Sequence, residues 1–296
     1  AGIGGAMGRA VAVRPPVAHM PGTWRLIYFN APNRGEQIRL LFHIAGVAFH
    51  DVRITPYPQG LDPYKVAVMG EASPLCGTDK CPAVTTPDGT HVVETSDIMR
   101  FVGQRVGLAP PDGSVQDAKA MEMCLVAQKV INDVFYGLFM RAVVKHIAGM
   151  EFFGLLGSVL PRLLCGAEGP ALVKPTQVLT ESLAAAEACL ASSGGPFVLG
   201  AELSYADVSL FDAIEKAFQF DFAFDKAALL AAHPHVATMY SRVEELAGEW
   251  LQARVTKHMV GKSTIAAFVA VTNTPFFWSK VQGPKETIDE AVPGRQ

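Results

Sequence analysis

Tyr28 closes a short apolar run, Arg25–Phe29, and stands just before Asn30-Ala31-Pro32-Asn33 and a helical pattern that opens near Gly35-Glu36. The spacing places a phenol at a strand end facing a helix N-terminus. Free backbone N–H groups and partial positive charge at such a terminus favour an anionic ligand, and the phenol O–H can donate to whatever reacts there. That arrangement suits the holding and activation of a small nucleophile. The same residues also fit a buried strand tyrosine beside an ordinary βα turn, so the surrounding elements have to decide between the two.

The chain has 296 residues, half of them hydrophobic (50%) and only 18% charged, which provides for a well-buried core in one large or two smaller domains. A formal net charge of −3 leaves no global footprint for nucleic acid or an anionic membrane surface. Small-molecule or protein partners are expected instead. The five cysteines, Cys76, Cys81, Cys124, Cys165 and Cys189, are odd in number and lack paired metal spacing. They point to a reducing compartment, free thiols and no metal. No apolar run reaches the roughly 18 residues that span a bilayer, so the reading is of a soluble protein without a transmembrane segment. The first 22 residues hold Arg9 and Arg14, many small residues and no acid, a composition like that left by an organelle leader or belonging to a flexible tail. The compartment is therefore read as cytoplasm or the interior of a mitochondrion or plastid.

From Trp24 the pattern runs strand (Arg25–Phe29), helix (Gly35–Ala45, stopped by Gly46), strand (Ala48–Ile54), then a loop rich in Pro and Gly to Lys80. Ala83–Thr86 and Thr90–Val93 flank Pro87-Asp88-Gly89, a hairpin signal, and Thr95 can cap a helix with apolar positions Ile98, Met99, Val102 and Val106. The order βαβ then ββα is the thioredoxin-like topology. Residues 107–114 read as a linker, after which helical patterns dominate, with long stretches over Val115–Ala148 and Pro175–Ser192. The expected organisation is a terminal extension over 1–22, a thioredoxin-like α/β domain over 23–106, the linker 107–114, an all-α domain over 115–256 and a second extension over 257–296. Ser204 can accept from the Asp207 amide while the Asp207 carboxylate answers the Ser204 amide, a reciprocal helix cap that serves the fold.

These residues resemble the cytosolic glutathione transferases, most closely the tyrosine-type sigma class that includes prostaglandin D synthases. The resemblance covers roughly Trp24–Glu249. It rests on Tyr28-Phe29 with Arg34, Glu36 and Ile38-Arg39, on Cys81-Pro82 before the hairpin, on Glu94-Thr95 at the third helix, and on Gly200 with Ser204–Asp207. It implies an α/β thioredoxin-like N-terminal domain joined to an all-α C-terminal domain, with glutathione as co-substrate and an apolar electrophile as the second.

The resemblance assigns Tyr28 to the activation of the glutathione thiol. A free thiol titrates near 8.5, and lowering that by about two units corresponds to roughly 2.7 kcal/mol, a load one charge-assisted hydrogen bond with nearby dipoles and Arg34 can carry. Pro82 matches the family's cis-proline, which lets the Cys81 main chain pair with the cysteinyl part of glutathione like an added strand. Thr95 at a helix N-cap suits the γ-glutamyl carboxylate and Glu94 the ammonium group. Lys65, or Lys80, stands in for the family's grip on the glycyl end. Asp133 is the candidate for the acid that reaches a neighbouring subunit's glutathione in a homodimer.

Several features depart from the family pattern. The proline-rich Thr55–Asp79 loop lacks a clear match to the family's Trp and Lys, Thr replaces Ser at position 95, and Pro32-Asn33 replaces the usual basic-glycine turn. The Met140–Pro175 region is enlarged, and Thr264–Trp278 in the second extension is too apolar for a solvated tail, so it should pack on its own domain or on a partner. The sequence therefore carries two functional readings: a glutathione transferase with isomerase or peroxidase side activity, and a non-catalytic accessory subunit of the same fold, docked by its extensions into a larger organellar complex. A thiol–disulfide oxidoreductase is disfavoured, because no CxxC or lone Cys stands at the first strand–helix turn.

Overall fold

A computed structural model describes residues 22–30, 33–54, 59–135, 137–138, 170–218, 224–257 and 288–294. Strand β1 (Trp24–Phe29) leads into helix α1 (Arg34–Ile44), and β2 (Phe49–Ile54) returns parallel to β1, with Tyr28 opposite Arg53. A loop with the short helix α2 (Val66–Met69) precedes the hairpin of β3 (Ala83–Thr85) and β4 (His91–Val93), and α3 (Thr95–Val106) follows. Strand β3 runs antiparallel to β1, which completes the expected βαβ–ββα order. The helical half contains α4 (Val115–Lys129), continued by a π-turn at Val130–Phe135, then α5 (Pro170–Ala191), α6 (Tyr205–Phe218), α7 (Lys226–Ala232) and α8 (Pro234–Lys257). The thioredoxin-like α/β half and the all-helical half are thus both present.

Strand alternation divides the burial, as a period of two requires. Leu26 and Tyr28 enter the main core with Leu41, Phe42 and the helical half, whereas Ile27 packs with Val52, Ile54, Leu61, Tyr64 and Leu75 on the other sheet face. Helix α1 is the hinge of this packing. Its Phe42 ring lies 5.4 Å from Trp24 and 4.8 Å from Phe49. Because α1 also carries Arg34, the core that fixes the helix fixes one wall of the site.

A fifth strand, β5 (Ile288–Val292), lies antiparallel to β2, giving the sheet order β4-β3-β1-β2-β5. Part of the second extension therefore belongs to the first sheet. Its apolar segment Thr264–Trp278 lies outside the described residues, as do residues 1–21 and most of the enlarged region after Phe135. The helix expected over Val115–Ala148 changes character at Lys129, where the α-helical ladder gives way to the π-turn.

The Ser204–Asp207 cap differs from expectation in one bond. The Asp207 carboxylate accepts from the Ser204 amide at 2.9 Å, but the Ser204 hydroxyl donates to the same carboxylate at 2.7 Å, and the Asp207 amide turns to the Ser204 carbonyl. The other carboxylate oxygen accepts from the Val198 amide at 2.7 Å. Asp207→Ala would strand two buried amides and should cost about 2–4 kcal/mol, against about 1 kcal/mol for Ser204→Ala. Burial, outweighing these donors, pushes the Asp207 carboxyl up to about 6. A carboxyl raised in the folded state contributes most below its unfolded value and loses that contribution as pH rises through the folded one. The gap in urea-unfolding free energy between wild type and Asp207→Ala is therefore expected to be wider at pH 4 than at pH 7.5. A gap that narrows in acid would refute the assignment.

Candidate active-site cleft

An open cleft on the first domain is lined by Arg34, Thr78, Lys80, Cys81, Pro82, Val93, Glu94 and Thr95. Three separate stretches supply it: the start of α1, the loop running into β3, and the β4–α3 junction. The topology brings them together because β3 lies beside β1 and the hairpin returns α3 to the same end of the sheet. Six of the residues assigned to glutathione from the sequence, Arg34, Lys80, Cys81, Pro82, Glu94 and Thr95, thus meet in one place.

Local backbone explains the shape of the wall. The Cys81–Pro82 peptide is cis, as the resemblance implies. Glu94 has φ 66° and ψ 126°, a left-handed conformation uncommon outside glycine, and it occupies the N-cap of α3. Thr95 is then the first helical residue, one place beyond the cap position expected for it. At 6% exposure Thr95 is nearly enclosed, and no hydrogen bond to its hydroxyl is found among the described residues. Strained non-glycine backbone of this kind persists where the surroundings over-determine it, and it gathers at ligand sites.

Charge across the cleft is mixed. Lys80 and Glu94 are exposed, and Arg34 sends Nη2 to Oδ1 of Asn132 at 2.5 Å across the boundary between the two halves. Asn132 lies on the π-turn, next to Asp133. Asp133 itself does not line the cleft, nor does Lys65, whose ammonium pairs with Asp62 at 2.7 Å and is held above its usual range by that bond. Burial pushes the Cys81 thiol up to about 12, against the Phe29 backbone and the nearby Arg39 and Arg34 charges. Cys81 therefore offers the cleft its main chain and a neutral sulfur.

Tyr28 is 4% exposed and is not among the lining residues. Its side chain packs closely on the first turn of α1, where a Cβ added to Gly35 would come within 2.4 Å of Tyr28 Cδ1. The Arg39 guanidinium carbon sits 5.9 Å from the ring centroid. Gly35 is thus a packing requirement of the tyrosine.

Behind the cleft lies a buried ionic network. Arg39 reaches both oxygens of Asp51, at 2.8 and 3.1 Å, then Glu36 at 3.3 Å and the Phe29 carbonyl at 3.3 Å. Arg53 closes on Asp51 at 2.6 Å, and Trp250 on α8 donates to Glu36 at 2.8 Å. Burial acts against the Arg39 charge, but Asp51 and Glu36 outweigh it and hold the guanidinium above its usual value. Sequence reasoning missed Asn132, Asp51 and Trp250 as supports of the site. Asn132 and Trp250 work with residues remote in sequence, and Asp51 bonds across from β2 to α1, so no single-element pattern announces them.

Residues 175–254 match the family model described as glutathione S-transferase, C-terminal domain. Glutathione S-transferase P 10 of Caenorhabditis elegans is 26% identical over 191 residues, covering 64% of this chain and 74% of that protein. A solved glutathione S-transferase of the same organism superposes with a TM-score of 0.57 at 19% identity, over 81% of this chain and 99% of that one. A glutathione transferase family member from Pseudomonas fluorescens Pf-5, solved with two glutathione bound, gives 0.51 at 14% identity, over 76% and 89%. The fold is that of the glutathione transferases, and the chain is glutathione transferase-like. Neighbours of the Pi and Nu classes stand beside a prostaglandin synthase, so they do not single out the sigma class. Among the described residues no group of His, Cys, Asp and Glu is placed to hold a metal, and no helix is long and apolar enough to cross a membrane.

Proposed function

We propose that this protein is a glutathione transferase in which Tyr28 activates the glutathione thiolate for attack on an apolar electrophile. The observation that carries the reading is the cleft itself, where a threonine hydroxyl at a helix N-terminus, a carboxylate and two cations line one hollow. Glutathione has matching parts. The α3 N-terminus with Thr95 suits the γ-glutamyl carboxylate, and Glu94 the ammonium beside it. The Cys81 main chain pairs with the cysteinyl unit, and Lys80 answers the glycyl carboxylate. Arg34, steadied by Asn132, lends positive potential to the thiolate, and the Tyr28 O–H donates to the sulfur. The sulfur then bonds to the electrophilic carbon, whose leaving group or displaced π-electrons carry the charge away, while the thiol proton passes to water.

The test is retention on immobilised glutathione together with a conjugation assay. Wild type should be retained. Thr95→Val keeps the shape and removes the hydroxyl, so it should raise the KM for glutathione about tenfold, equivalent to roughly 1.4 kcal/mol, with kcat less affected. A folded wild type that neither binds the matrix nor conjugates glutathione would overturn the proposal.

A further inference from the structure

Strand β5 closes the sheet edge farthest from the cleft, since the order β4-β3-β1-β2-β5 leaves the cleft-lining β4–α3 junction at the opposite side. Its seat has three components. The first is a backbone ladder in which Ile288 to Val292 run opposite Arg53 to Phe49. The second is an apolar contact: Val292 stands opposite Phe49, itself 1% exposed, and packs on the main core. The third is a close approach at the α1–β2 turn, where a Cβ added to Gly294 would lie 2.5 Å from the Gly46 carbonyl oxygen and 3.1 Å from the Ala48 nitrogen. Pro293 lies between them, without an N–H, at the point where the ladder ends.

Backbone pairing gives such a seat affinity, and the Val and Gly positions give it selectivity, as in peptide recognition by strand addition. Only a glycine fits two places after the residue facing Phe49. We infer that the β2 edge and the α1–β2 turn form a strand-accepting site for an extended peptide that carries Val-Pro-Gly, filled in cis by the chain's own residues 288–294 and open to that segment in trans. Covalent attachment gives the cis copy an effective concentration on the order of millimolar, so a free peptide competes only when the cis copy is disabled or at comparable concentration. An emptied β2 would leave unpaired N–H and C=O groups that template another strand. The site is independent of glutathione binding.

The experiment uses the full chain, wild type and Gly294→Val, with a synthetic peptide of residues 287–296 and its Gly294→Val counterpart, followed by amide hydrogen exchange and peptide anisotropy. Wild type should protect the β5 and β2 amides. The variant should lose that protection by at least tenfold, bind the natural peptide, and regain β2 protection from it but not from the altered peptide. A folded variant that ignores the natural peptide overturns the inference, as does a wild type whose β5 amides exchange freely. Should the variant fail to fold, wild type decides: millimolar natural peptide must speed β5 exchange while β2 stays protected, and unchanged exchange overturns the inference. A concentration-dependent wild-type dimer with protected β5 and no cis occupancy at low concentration would assign the occupant to a second copy and overturn the cis assignment.

Discussion

Arg39→Met should lower the unfolding free energy by about 3–5 kcal/mol, the cost of breaking a buried ion pair by deleting one partner. At about 2–4 °C per kcal/mol for a domain of this size, the thermal midpoint should fall by roughly 10 °C. The reason is geometric. Asp51 would lose a two-pronged partner with side chains fully enclosed, and Glu36 would lose its ion pair with Arg39 while keeping the Trp250 hydrogen bond. Arg53 remains on Asp51, which sets the lower end of the range. The same guanidinium holds the Phe29 carbonyl next to Tyr28, so glutathione affinity should weaken with stability. Adding Glu36→Gln, which neutralises the carboxylate left without its ion-pair partner while Arg53 stays on Asp51, should recover part of the loss. Urea unfolding of the single variant checks the claim, and a cost below 1 kcal/mol would mean that the network is not under the burial described.

The contrast between this network and the cleft explains what the chain discloses before it is folded. The cleft residues were legible through the resemblance to the glutathione transferases, and local patterns place the segments that carry them. Cys81-Pro82 precedes a hairpin marked by Pro87-Asp88-Gly89, Glu94-Thr95 opens an amphipathic helix, and Arg34 follows a strand–turn. Once the βαβ–ββα order is recognised, topology forces these segments together. Tyr28 was placed correctly at the end of β1 for the same reason.

Elsewhere the local rules lost to tertiary constraints. The capping preference selected Thr95, but the chain turns from β4 into α3 through Glu94 at positive φ, which moves the cap back one residue. Arg34 and Asn132 are 98 residues apart, and Glu36 and Trp250 are 214 apart. Helical periodicity cannot reveal Asn132 either, because the π-turn after Lys129 breaks the 3.6-residue register from which facing positions are read. Strand β5 was invisible for a different reason. Ile288-Asp289-Glu290-Ala291-Val292 lacks the apolar–polar alternation of a half-buried strand. What admits it to the sheet is the open edge of β2 and the small turn at Gly46.

Tyr28→Phe should reduce kcat/KM for glutathione conjugation by about 10–100-fold near pH 6.5, because a hydrogen bond to a charged group contributes roughly 1.5–3 kcal/mol. The substitution keeps the ring on which Gly35 and Arg39 pack, so stability should change by less than about 1 kcal/mol. The decisive readout is the pH profile. If the phenol stabilises the thiolate, its loss raises the pKa of bound glutathione toward the free value near 8.5, and the deficit should shrink as pH climbs past 9 and both enzymes hold thiolate. A deficit of the same size at pH 6.5 and 9 would instead assign Tyr28 to the packing of α1. Gly35→Ala gives an independent arm. Its added methyl collides with Cδ1 and Cγ of the ring, at 2.4 and 2.5 Å, and must displace the phenol without removing it. A Gly35→Ala enzyme with the pH-dependent deficit of Tyr28→Phe would locate the effect in the position of the O–H, whereas an unaltered profile would mean that thiolate formation does not depend on where that ring is held.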